Sequence, residues 1–291
     1  MNQLKHILTV FALALLAACS QDDAFTGIPE GADAETVAVT LTAQADCSMT
    51  EAGNAAEASA QRAATRADGT DGTADPMPTR YYAEAIARDN QETTGVIEGT
   101  VNGSGGYDFH FRLMPGKMYY FLFWADNADN ADAPTDLTAA AYSEGAVAYA
   151  ACTDGTAETV GKSITLQHVV AKVSLVTTSA IATETAISLE YPSATTYNVL
   201  TEESSGSTRL TTSWSGTNVP AGGEVLTAYL LPNPADRRIT VTVNGNVHTL
   251  GDVPLTANTP ITLQGDLSGA GEKNDFGAGH EGFTDNTDIS W

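Results

Sequence analysis

Basic side chains are scarce in this chain: 13 lysines and arginines stand against 36 acids, a formal net charge of -23 over 291 residues. Such a surface repels phosphate backbones, and no basic stripe offsets it, which excludes nucleic acid as a partner. Cysteine is scarce too. There are three, and five histidines, with no Cys-x-x-Cys pair and no His-x-x-x-His spacing, so no zinc site is encoded. No Gly-x-Ser-x-Gly elbow is present, and Gly103-Ser104-Gly105-Gly106 has the composition of a hairpin turn instead. Carboxylates are plentiful but scattered through loop-like segments, so no acid pair of the glycosidase kind stands out. The run Asp126-Asn127-Ala128-Asp129-Asn130-Ala131-Asp132 offers oxygens but places alanine at the third position of a calcium loop, and it reads as a solvated connection. No catalytic constellation and no cofactor motif emerges, which points away from an enzyme. Beyond Ala18 no apolar run has transmembrane length, and no apolar 3.6-residue period has the length of a helix.

What is present begins at the first residues. Lys5 supplies a short positive region, and Ile7 to Ala17 follow without a charge. That stretch is shorter than the roughly 20 residues needed to span a bilayer and fits the apolar part of a secretory signal. It closes with Leu16-Ala17-Ala18-Cys19, which resembles the lipobox of bacterial lipoproteins. The resemblance implies cleavage before Cys19 and lipid on its thiol, with two or three acyl chains giving stable anchoring. Ser20-Gln21-Asp22-Asp23 then resembles the acidic signal that sends such lipoproteins to the cell surface. With Cys19 carrying lipid, Cys47 and Cys152 remain, and in an exported protein they can pair; no spacing requires it.

The rest of the chain is written in strands. Val37, Val39 and Leu41 alternate with Ala38 and Thr40, predicting a strand over 37–43. Residues 44–79 are rich in Ala, Gly, Thr, Asp and Glu, hold almost no large apolar side chain, and read as a flexible loop. Arg62 and Arg66 lie in it and Arg80 follows it, in a chain with few basic residues. Tyr107–Leu113 alternates cleanly, and Met118–Trp124 is apolar on both faces; with Pro115-Gly116 between them they predict a hairpin. Ile164–Leu166 and Val169–Val176 follow. The last third holds six further short strands, and Ile239–Leu250 with Asn244-Gly245 at its tip is the strongest hairpin signal. Many short, Val- and Thr-rich strands at regular spacing predict an all-β protein of antiparallel sandwiches. The expected organisation is a signal over 1–18, a lipidated segment with first strand and loop over 19–80, an N-terminal sandwich over 81–179 that includes strand 37–43, and a C-terminal sandwich with a polar tail over 180–291.

Taken together, the lipobox, the single strand behind it, the loop segment Thr65-Arg66-Ala67-Asp68, the aromatic run Tyr119–Trp124 ending in Ala125-Asp126-Asn127, and Leu166-Gln167-His168-Val169-Val170-Ala171-Lys172-Val173 resemble the fimbrillin superfamily, the lipoprotein pilins and fimbrium subunits of anaerobic Gram-negative bacteria. His168 stands where that family more often has arginine. The resemblance implies two transthyretin-like β-sandwich domains. It also implies assembly by strand exchange: a protease of Arg specificity cuts behind the first strand, the lipidated strand leaves, and a neighbour's strand fills the groove. Carried onto this sequence, Val37, Val39 and Leu41 belong to the removable strand, Arg66 is the preferred cleavage point with Arg62 and Arg80 behind it, and Ile289 and Trp291 of the tail are candidate plugs of a donor strand. The partners implied are other pilus subunits, the outer membrane through Cys19, and a host or bacterial surface ligand. The alternative is a monomeric surface lipoprotein that binds a glycan or a host protein.

Overall fold

The computed structural model describes residues 36–49, 75–269 and 276–279. The signal segment with Cys19, the loop arginines Arg62 and Arg66, and the tail residues Ile289 and Trp291 lie outside the described residues. The first half of the chain contains β1 (Val37–Ala45), β2 (Arg80–Ala87), β3 (Ile97–Glu98), β4 (Thr100–Val101), β5 (Tyr107–Leu113), β6 (Tyr119–Asp126), β7 (Ala140–Ala141), β8 (Ala148–Gly155) and β9 (Ser163–His168). The second contains β10 (Ala171–Thr177), β11 (Thr185–Ser193), β12 (Thr196–Asn198), β13 (Glu203–Ser205), β14 (Thr208–Gly216), β15 (Glu224–Leu230), β16 (Ile239–Val243), β17 (Asn246–Leu250), β18 (Pro260–Gly265) and β19 (Phe276–Gly279). The protein is all-β. Among the described residues the one helical element is a 3-10 turn at Leu137–Ala139.

The first sandwich is one folded-over ladder in the order β3-β2-β6-β8-β9-β1-β5-β4. It bends where β8 meets β9 through only Tyr149↔His168 and Ala150↔Gln167. The two layers face each other across Phe109–Phe123 and Phe111–Phe121, edge-on ring pairs with centroids 5.6 Å apart. The expected hairpin of β5 and β6 does not form. β5 pairs with β1 and β4, whereas β6 pairs with β2 and β8, so the two strands lie opposite each other in the sandwich rather than side by side. Their patterns give the reason. β5 alternates and can leave one face wet, while β6 is buried on both faces and needs a central place between two cores.

The second of those cores lies behind β6. Leu122 and Trp124 of β6, Tyr82 and Ile86 of β2, and Ala148 and Ala150 of β8 pack against Leu137, Tyr197, Val199 and Leu231. The small sheet β13-β12-β7 covers it. The third core fills a second sandwich, built from β15-β10-β18-β19 and β14-β11-β16-β17. The hairpin of β16 and β17 is present, with Asn244 and Gly245 at φ of 48° and 87°, the left-handed pair its turn requires. The chain passes between sandwiches at Val169-Val170, because β10 pairs with β15 and β18; this crossing comes earlier than the expected boundary at 179/180. Each sandwich also holds one parallel pair, β1 with β9 and β10 with β18, within an otherwise antiparallel arrangement.

The two cysteines expected as a possible pair are free thiols. Cys47 packs against the core inside the first sandwich, and Cys152 against the core on the outer side of the β6–β8 layer. The sheet between them is the physical obstacle to a disulfide. Burial pushes the Cys152 thiol up from its ordinary value.

Candidate functional site

The alternation read in Val37–Ala43 places β1 in the middle of a sheet. Seven register pairs run from Val37↔Leu113 to Ala43↔Tyr107 along antiparallel β5, and four from Thr42↔Ser163 to Ala45↔Leu166 along parallel β9. Val39 is 4% exposed and Leu41 and Ala43 are 0% exposed, inside the same core as the facing phenylalanines. Val39 and Leu41 each contribute about 1.5–3 kcal/mol by leaving water. A groove without β1 would bare these contacts and two rows of backbone hydrogen-bonding groups.

The outer face of β1 is polar and specifically paired. The Thr42 hydroxyl donates to Asp108 Oδ1 at 2.7 Å, and Thr40 Oγ1 lies 3.0 Å from His110 Nδ1. Asn102 Nδ2 donates to the same Asp108 oxygen at 2.8 Å. Asn102 Oδ1 in turn accepts from Ser104 N, Ser104 Oγ and Gly106 N at 2.8–3.0 Å, closing the turn between β4 and β5. Hydrogen bonds from Thr42 and Asn102 hold the Asp108 carboxyl below the usual carboxylate range. Gly106 permits the approach of β1, since a Cβ there would stand 3.0 Å from Thr42 Cγ2. Tyr107, opposite Ala43, stacks on Tyr81 with ring centroids 3.8 Å apart.

Both ends of the chain between β1 and β2 are fastened to the body. At the exit, Asp46 N donates to Leu166 O at 2.9 Å. At the return, Asp75 accepts from Lys172 Nζ at 2.9 Å and from the Tyr229 hydroxyl at 2.7 Å, and the Tyr149 hydroxyl donates to Pro76 O at 3.2 Å. His168 sits among these groups, 3% exposed, with its ring 4.1 Å from that of Tyr149 and neither nitrogen hydrogen-bonded among the described residues. Burial lowers its pKa, against the pull of the Asp75 carboxylate.

Of the arginines expected as cleavage points, Arg80 has a different place. It opens β2, its side chain is 15% exposed, and it holds Asp126 through Nε at 2.8 Å and Nη2 at 2.7 Å. A protease would have to lift it from a sheet and break a desolvated ion pair. Asp126 also accepts from Trp124 Nε1 at 2.8 Å and Ala128 N at 3.1 Å, so the acid that opens the oxygen-rich loop is already satisfied. Sequence reasoning missed Asp108 and His110 as partners of β1, and Asn102 of the preceding turn as the group that holds Asp108. The signal for the first two was the polar half of the β5 alternation.

No curated protein matches the chain. Among solved structures it is similar to a fimbrial assembly protein from Parabacteroides distasonis, at 12% identity over 84% of this chain and 96% of that chain, with a TM-score of 0.48. It is likewise similar to the tip fimbrial protein Mfa3 from Porphyromonas gingivalis with C-terminal truncation, at 12% identity over 84% of this chain and 99% of that chain, with a TM-score of 0.42. Residues 30–267 match a family model described as a family of unknown function (DUF6562), and the chain belongs to that family.

Proposed function

We propose that this protein is a structural or adhesive subunit of a surface fimbrium, tethered first to the outer membrane through lipid on Cys19 and assembled by strand exchange. The reading is non-catalytic. An Arg-specific cut at Arg66, or at Arg62, frees β1 with its lipid. Arg80 is held by Asp126. A strand from a neighbouring subunit then takes the vacated place between β5 and β9. The tail, with Ile289 and Trp291 as alternating plugs, is the strand this subunit would offer in return. Other pilus subunits and a surface ligand are its partners.

The single observation that carries this reading is the position of β1. It lies between two hydrogen-bonded neighbours and fills a core, yet residues 46–79 alone join it to the rest of the chain. β10 holds the same place in the second sandwich, between an antiparallel and a parallel strand, but continues on both sides into neighbouring strands. Strand addition supplies backbone hydrogen bonds for affinity and alternate side-chain pockets for selectivity.

The test is limited digestion of the lipid-free chain with an Arg-specific protease. One cut within 50–74 is expected, followed by concentration-dependent ladders that survive SDS. A cut product that stays monomeric would overturn the fimbrial reading. That result favours a monomeric lipoprotein that binds a glycan or a host protein, for which a cleft of about 460 Å³ lined by Tyr197, Glu203, Pro232 and Arg237 is the place to look.

A further inference from the structure

We infer that the groove under β1 selects its incoming strand by two outward hydroxyls and one small inward residue, and that its preferred occupant is a strand of a different subunit bearing that pattern. The inference rests on the strand-exchange reading and adds what the groove recognises.

The carboxylate of Asp108 is set in place by groups that do not belong to β1. The turn fixes Asn102 through three hydrogen bonds, and Asn102 fixes Asp108. The acceptor therefore stands ready on the groove wall at the position where Thr42 Oγ1 reaches it. Two residues along, His110 Nδ1 lies within hydrogen-bond distance of Thr40 Oγ1. These contacts discriminate register as well as composition. A slip of one residue would turn Val39 or Leu41 toward Asp108 and His110, and would carry a hydroxyl into the core. A slip of two that carries Thr40 to Asp108 would leave His110 facing Ala38. At the inner end, fully enclosed Ala43 lies opposite the Tyr107–Tyr81 stack, so a larger side chain there meets aromatic rings.

The pattern read by the groove is thus aliphatic, hydroxyl, aliphatic, hydroxyl, small, running antiparallel to β5. The tail of this chain offers Ile289-Ser290-Trp291, an apolar–hydroxyl–apolar triplet. Either register of that triplet brings tryptophan to the enclosed site of Leu41 or Ala43. A second copy is therefore the weaker donor, entering at high concentration, and a subunit of another kind that carries the full pattern is the preferred one.

The experiment uses the full lipid-free chain nicked within 50–74, together with labelled peptides in excess. A peptide of residues 37–45 is expected to exchange into the groove. The Thr40→Val/Thr42→Val peptide should bind about tenfold more weakly, although valine is more apolar and no worse a strand former. The Ala43→Leu peptide and a peptide of residues 284–291 should be weaker still. Equal or tighter binding of the double-valine peptide overturns the hydroxyl selection, and equal binding of the 284–291 peptide overturns the assignment of the occupant. Hydrogen exchange on the uncut chain separates this from the parent reading. Thr42→Val and Asp108→Ala should speed exchange of the β1 amides and leave β16 unchanged; unaltered β1 protection overturns the selection even where strands exchange. Failure of every peptide to enter, with the exchange effect intact, rejects strand exchange and leaves the pairs as a register device of β1 alone.

Discussion

His168 shows how one side chain can set a pH limit on the protein. It sits where the segments flanking the loop converge, near Asp75, Asp46 and Lys172, with its ring against Tyr149. Burial favours the neutral imidazole. In the unfolded chain the ring titrates near 6.5. Below that value the unfolded state takes up a proton before the folded one, so stability falls as the pH drops from about 6.5 toward the lowered folded value. The depressed carboxyls of Asp108, Asp236, Asp266 and Glu158 act in a separate, more acidic window. Urea midpoints at pH 7 and pH 5 should therefore differ in the native protein, and His168→Phe should flatten the difference; an equal slope in both would refute the assignment. Little of this cluster was legible in sequence. Asp75 finds Lys172 and Tyr229 at separations of 97 and 154 residues, and only the tertiary fold brings them together.

At the scale of elements, strands announced themselves by period, and their pairing did not. β1, β5 and the β16–β17 hairpin were readable because alternation or an Asn-Gly turn fixes them locally. The β5–β6 hairpin was misread because proximity in sequence was taken as lateral pairing, although the two-sided burial of β6 already argued for a place between cores. β8 was missed because its Ala-Tyr-Ala-Ala-Cys composition has few β-branched residues. Its alanines are small for a tertiary reason: Ala150 stands opposite Trp124 and Ala151 opposite Phe123. Ala150→Leu should consequently overpack the core behind β6 and cost about 1–3 kcal/mol, measured as a shift in the denaturation midpoint. An unchanged midpoint would show room beside Trp124 that the packing denies.

Across the whole molecule, the two sandwiches repeat one arrangement and differ in how their first strands are tied. Charge acts at the same scale. A formal net charge of -23 makes copies of this chain repel, and screening shortens the range of that repulsion from about 30 Å at 0.01 M salt to about 8 Å at 0.15 M. Ladder formation after the cut should therefore run faster at 0.15 M than at 0.01 M salt, followed as the fraction of SDS-resistant species over time. A rate independent of salt would mean that encounter does not limit assembly.

The parallel contact between β1 and β9 carries a consequence of its own. With β5 on the opposite flank running the other way, a strand inserted backwards would pair parallel to β5 and antiparallel to β9, with a changed hydrogen-bond pattern on both flanks. Subunits joined by the same strand in the same direction through such a slot would all face the same way. The filament so formed would have two chemically unlike ends, one presenting an unfilled slot and the other an unspent strand, and it could lengthen without ever closing on itself.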